Sequence, residues 1–242
     1  MLQEFDLPAR WTSLIQDYFS EAVHNLAQMW PDDQSLDISY RTIEGFDTEF
    51  AHDIVQNPDL HFHAANQALR QFLIDAGSPT MFPFVRINHL PSDQVRTVSQ
   101  LRADDIGQML ALDSVVTKIS GVRPRIYSAQ FECMACNHTM VINQPNEQEL
   151  IEPVECEQIT GGCGRAKRQT RFALNHKESI LINSQFIELQ ELPEQMKGGI
   201  QPERILCIGE HDLAGKLNPG DRVKANGVLF IRSQRKGGKD TP

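Results

Sequence analysis

Cys133-Met134-Ala135-Cys136 and, after a further 19 residues, Cys156 and Cys163 are the residues of this chain whose type and spacing could do chemistry. The first pair is C-x2-C, a tight turn that aims two thiolates at one ion. The second is C-x6-C and encloses Thr160-Gly161-Gly162. Four soft thiolates within tetrahedral reach suit one structural Zn2+, with every coordination position filled by protein and none left for water. Such a centre holds a fold together and catalyses nothing. Two disulfides would need an oxidising compartment. Met1-Leu2-Gln3-Glu4 has neither the basic start nor the apolar run of a signal peptide, so an intracellular location is expected. A redox C-x-x-C belongs at a strand-to-helix junction, whereas Cys133 closes the strand-like run Tyr127–Phe131 and Asn137-His138 follow as a turn. The second half is wider than the usual knuckle, so His138 stays open as a replacement for one thiolate. Cys207, inside Ile205-Leu206-Cys207-Ile208, reads as a buried small hydrophobe.

The elements that position these residues fall into two kinds. The apolar fraction of 40% is that of a folded globule, and no run approaches the ~20 apolar residues of a membrane span. The net charge of −9 is unevenly spread: residues 1–84 hold 3 basic and 13 acidic side chains, the rest 20 and 19. That asymmetry points to separate modules with separate partners. From Trp11 to Trp30 apolar residues recur at helical spacing until Pro31. A second helix is expected over Phe46–Val55, and a third from Pro58 to near Gly77. After Ser78-Pro79 the pattern turns to strands: Phe84–Ile87, Met109–Ile119, Arg125–Phe131, Thr170–Leu174, Phe186–Leu189, Ile205–Gly209 and Arg222–Arg232. The expected fold is α+β: a helical bundle over residues 1–84, then an oligonucleotide-binding (OB) barrel over 85–130 and 170–242, with a zinc-binding β lobe over 131–169 inserted in it.

Cations gather where the strands carry them outward. Lys118, Arg123 and Arg125 form one group; Lys167, Arg168 and Arg171 a second; Arg232, Arg235, Lys236 and Lys239 a third around Gly237-Gly238. Such side chains suit backbone phosphates of a nucleic acid, with little sequence preference. Aromatic stacking partners are few, Tyr127 and Phe230 being the candidates.

Taken in order, the residues from about Arg86 to Arg232 resemble the N-terminal region of minichromosome maintenance (MCM) replicative helicases, most closely the archaeal type. The resemblance rests on Val85-Arg86-Ile87-Asn88-His89-Leu90-Pro91, on Ser120-Gly121-Val122-Arg123-Pro124-Arg125 and on the cysteine-bearing insert. It continues through Gln185-Phe186-Ile187-Glu188-Leu189, Gly198-Gly199-Ile200-Gln201-Pro202-Glu203-Arg204 and Pro219-Gly220-Asp221-Arg222-Val223. The resemblance implies a helical bundle, a zinc lobe and an OB barrel that closes a hexameric ring. It implies that Lys118, Arg123 and Arg171 lie near the surface that grips single-stranded DNA, and that Arg232, Arg235, Lys236 and Lys239 belong to a channel hairpin. The loop from Gln190 to Arg204 would address the ATPase module of the full-length protein. The C-x6-C half is longer than the family's usual second pair.

No G-x-x-x-x-G-K-[ST] occurs; Gly215-Lys216-Leu217 and Gly238-Lys239-Asp240 lack the hydroxyl that holds magnesium. This segment is therefore expected to be no enzyme by itself, with the motor following Pro242. A zinc-ribbon and OB adaptor that binds protein and not DNA is the alternative reading.

Overall fold

The computed structural model describes residues 7–78, 81–144, 150–192, 194 and 201–231. These fall into two compact units, one of Met1–Lys118, Glu188–Cys207 and Asn218–Pro242, the other of Ile119–Ile187 and Ile208–Leu217.

The first unit begins with α1 (Leu7–Met29), whose stripe buries Trp11, Leu14, Ile15, Val23 and Leu26. A strand that the spacing did not predict, β1 (Ser35–Ser39), follows. Only Leu36 and Ile38 are apolar in it, too few to register as a pattern, yet both are buried. The second helix expected over Phe46–Val55 is α3 (Thr48–Gln56), and a helix that the spacing did not predict, α2 (Tyr40–Phe46), precedes it. Asp47 divides them because its backbone is extended and its carboxylate accepts the Phe50 N–H at 2.9 Å, the work of an N-cap. Arg10 of α1 pairs with the same carboxylate. In α4 (Pro58–Asp75) proline sits in the first turn as expected. The helix stops where Gly77 takes φ 86°, with Ser78 N–H on Leu73 O at 2.8 Å and Gly77 N–H on Ile74 O at 2.9 Å. The chain then returns as β2 (Phe84–Asn88), parallel to β1, with Leu36 opposite Val85 and Ile38 opposite Ile87.

Trp11 is fully buried at the centre of this unit, edge-on to Phe50 at 5.3 Å and to His61 at 6.2 Å. His61 is a packing residue. Its Nε2 lies 3.1 Å from Asp53 Oδ2, while Nδ1 has no hydrogen-bond partner. Burial pushes the His61 pKa below its ordinary value against the pull of Asp53, because a second ring proton would be a buried donor without an acceptor. A depressed histidine binds fewer protons folded than unfolded. Its stabilising contribution is therefore present above the unfolded value, about 6.5, and is lost as pH falls below it. Urea midpoints for the helical unit are expected to drop between about pH 7.5 and 5.5. In His61→Gln that segment of the profile flattens; an unchanged slope in the variant contradicts the assignment.

Seven more strands follow: β3 (Val95–Arg96), β4 (Met109–Ile119), β5 (Arg123–Cys133), β6 (Thr139–Asn143), β7 (Phe172–Glu191), β8 (Arg204–Glu210) and β9 (Arg222–Val228). They are hydrogen-bonded in the order β3-β4-β7-β5-β6, with β8 on β7 and β9 on β4. In the first unit β4 runs antiparallel to β9, from Met109 opposite Val228 to Val115 opposite Arg222. In the second unit β5 is the shared strand, antiparallel both to β6 and to β7.

The expected strand Phe186–Leu189 and the last three residues of the expected strand Thr170–Leu174 are parts of the single 20-residue β7, which begins only at Phe172. The stretch between them breaks the period-two pattern because it bulges. The partner of Ser128 is Ile180 while that of Gln130 is Asn175. Side chains bridge the irregularity: Gln130 N–H donates to Ser179 Oγ at 3.0 Å, and Ser179 Oγ–H donates to Asn175 O at 2.6 Å. The expected strand Arg222–Arg232 ends at Val228 in β9, and Arg232 lies outside the described residues.

Candidate metal centre and surface cations

The four cysteines converge within the second unit. Cys133 is the last residue of β5, and a turn returns the chain to β6: Asn137 N–H donates to Cys133 O at 2.8 Å, and Cys133 N–H to His138 O at 2.9 Å. Asn137 takes φ 58°, a conformation asparagine tolerates better than most residues. The second half closes on itself. Gly162 N–H reaches Glu157 O at 2.8 Å, Gly164 N–H reaches Cys156 O at 3.0 Å, and Cys156 N–H reaches Arg165 O at 2.9 Å. Glycine is required at 162, where a Cβ would sit 2.4 Å from Cys156 Sγ and 2.5 Å from Glu157 O.

All four sulfurs lie within 4.8 Å of one another. Cys133 and Cys163 are 3.8 Å apart, Cys136 and Cys156 3.7 Å. Those separations are far from the ~2.05 Å of a disulfide. They match the ~3.8 Å edge of a tetrahedron with ~2.3 Å metal–sulfur bonds. Cys163 N–H donates to Cys156 Sγ at 3.3 Å, the kind of outer contact that steadies a thiolate ligand. Burial opposes ionisation of Cys133, but the N–H groups of Ala135 and Cys136 and the Thr170 hydroxyl outweigh it and bring the thiol down to about 6. Burial, reinforced by the surrounding sulfurs, pushes Cys156 up to about 12. The donor set fits a soft divalent ion held at four points. His138 is not among these donors; its Nε2 is engaged 2.9 Å from Thr160 Oγ1. Cys207 is half-buried in β8, its pKa raised by burial to about 11.

The basic residues have different fates. Lys118 on β4 and Arg123 at the start of β5 are exposed, as are Arg168 and Arg171. Lys167 pairs with Glu152 at 2.8 Å. Arg125 is placed otherwise than a phosphate contact requires. Its side chain is 8% exposed, its Nε and Nη2 meet Glu210 Oε1 at 2.7 Å, and its Nη1 donates to the carbonyls of Ile126 and Gln144 at 3.2 and 3.0 Å. Tyr127 lies edge-on to His211 at 5.7 Å, whereas Phe230 is exposed. Arg232, Arg235, Lys236 and Lys239 lie outside the described residues, as does much of the Gln190–Arg204 loop. The base of that loop is tied: Arg204 meets Gln190 and Glu188 at 3.0 and 3.1 Å. Glu191 accepts the Ser99 N–H at 2.6 Å. Sequence reasoning missed Glu210, Glu191 and Thr160, each of which bonds a residue far along the chain with no local spacing to mark it.

A helical bundle, OB strands and a four-cysteine lobe define a multi-subdomain OB protein. The model of the MCM OB domain family matches residues 97–233, more than half of the chain. The minichromosome maintenance protein MCM of Saccharolobus solfataricus is 28% identical over 204 residues, 82% of this chain and 29% of that one. The DNA replication licensing factor MCM4 of Drosophila melanogaster is 22% identical over 220 residues, 90% of this chain and 24% of that one. A crystal structure of the N-terminal domain of an archaeal MCM matches with a TM-score of 0.83 at 28% identity, covering 99% of this chain and 94% of that one. The chain belongs to the MCM OB domain family. It spans less than a third of the length of the two relatives. Among the described residues no helix is long and apolar enough to cross a membrane.

Proposed function

We propose that this chain is the single-stranded-DNA-binding, ring-forming N-terminal part of a replicative helicase, with one structural zinc held by Cys133, Cys136, Cys156 and Cys163. In this reading residues 1–84 are a peripheral acidic lobe. The barrel of 85–130 and 170–242 supplies the ring's interfaces, and the lobe of 131–169 extends one rim. Partners are single-stranded DNA, further copies of the chain, and an ATPase module of the full-length protein. Nothing in these residues resembles a phosphate-binding loop with its magnesium hydroxyl, so ATP hydrolysis is assigned elsewhere. The observation that carries the reading is the match to an archaeal MCM N-terminal domain over nearly the whole chain.

Phosphate contact is assigned to Lys118, Arg123 and Arg171, which are exposed, and to Arg232, Arg235, Lys236 and Lys239. Arg125 is assigned to hold Glu210. Fluorescence anisotropy with a labelled single strand, titrated at roughly 50 and 200 mM salt, is the test. Lys118→Ala combined with Arg123→Ala is expected to weaken binding and to flatten the salt dependence by about 0.7 unit per lost contact. An unchanged slope removes those two residues from the interface. A parent that ignores oligonucleotides even at low salt favours the adaptor reading, and solution mass with and without the strand tests ring formation.

A further inference from the structure

The C-x2-C turn and the C-x6-C loop are joined by their sulfurs and by little else. Among the described residues, the hydrogen bond that connects them without involving sulfur is His138 Nε2 to Thr160 Oγ1 at 2.9 Å, across 22 residues of sequence. His138 is the second residue after Cys136, and Thr160 is the fifth of the eight residues from Cys156 to Cys163. The bond therefore ties the middle of the longer loop to the rim of the tighter turn.

We propose that His138 and Thr160 form a latch that keeps the two halves of the metal centre in register, so that a thiolate that lets go of the ion stays close enough to take it back before the ion leaves. The proposal rests on the reading of the four cysteines as a zinc site. A long loop between two ligands adds freedom that must be lost each time the ion binds. Part of that freedom is already removed inside the loop. Thr160 Oγ1 lies 3.3 Å from both Glu157 O and Glu157 Oε2, and Gly162 N–H holds Glu157 O. Those contacts shape the loop without fixing it to the opposite turn. The His138–Thr160 bond supplies that second constraint. His138 is half-buried and Thr160 exposed, so the constraint is local, and its loss leaves the buried Cys133, Met140 and Cys156 in place. Neither residue is a ligand. Both act through the ligands, as positioning residues.

The test is the rate at which the 242-residue chain gives up zinc to excess chromophoric chelator. His138→Ala and Thr160→Val should each release zinc roughly three- to tenfold faster than the parent, the worth of one partly exposed hydrogen bond. The double variant should be no faster than either single one, because each removes the same interaction. Thr160→Ser, which keeps the hydroxyl, should return the rate to that of the parent. Loading with Co2+ should give the same tetrahedral thiolate absorption in all four variants, since the ligands are unchanged. Release at the parent's rate in both single variants, or additive effects in the double one, overturns the latch while leaving the zinc reading intact. A parent that purifies folded without zinc, and takes up neither zinc nor Co2+, overturns both.

Discussion

Replacing Cys133 by serine is expected to abolish zinc binding. The hydroxyl does not ionise near neutral pH, and three thiolates around a half-formed site leave a coordination position open to water. Cys133 is also where β5 ends and the turn to β6 begins, with its backbone N–H and C=O both used in that turn. The variant should therefore lose ordering of the lobe as well as metal. Elemental analysis should fall from about one zinc per chain to near none. Amide exchange should accelerate across the β5–β6 turn and the Cys156–Cys163 loop. Added zinc should restore a chelator-stripped parent and leave the variant unchanged. Equal zinc content in variant and parent would falsify the assignment of Cys133 as a ligand.

The second large effect is expected in the other unit. Trp11→Ala removes the largest side chain of the helical core, one that is fully buried and packs edge-on against both Phe50 and His61. A cavity of that size in a packed interior costs about 3–5 kcal/mol. That is a large share of the ~5–15 kcal/mol that typically separates folded from unfolded domains. Urea denaturation followed by helical circular dichroism should show the midpoint collapsing, with part of the helical signal already lost in the absence of denaturant. A shift below about 1 kcal/mol would mean that the surrounding helices close over the gap, against the packing described here.

What could be read from the sequence and what could not divide along physical lines. Met109–Ile119 was legible residue for residue because the continuous apolar run Met109–Leu112 leads into the β-branched Val115-Val116-Thr117, a composition that favours a buried strand. The end of α4 was legible because Gly77 is the residue a left-handed cap favours. The four cysteines were legible because ligand spacing is a local property. β1 was missed because two apolar residues make no pattern, and its partner lies beyond three helices. β7 was read as two strands because the bulge beside Asn175 and Ser179 destroys the period on which strand reading depends. Arg125 was grouped with Lys118 and Arg123 by proximity along the chain. Its burial and its pairing with Glu210 come from a strand 85 residues away, and charge clustering carries no trace of that.

The parallel ladder of β1 and β2 has a consequence for the tolerance of this region to change in length. Five paired positions close a circuit around the 44 residues from Tyr40 to Pro83. Bringing the ends of so long a flexible circuit together costs about 3 kcal/mol by the logarithmic law of ring closure. Doubling its length adds only about 0.6 kcal/mol. Extra turns or whole helices spliced into the connections of this circuit are therefore thermodynamically cheap, provided that Leu36 and Ile38 still meet Val85 and Ile87. The ladder works as a clasp, and the region it encloses is where the architecture can grow.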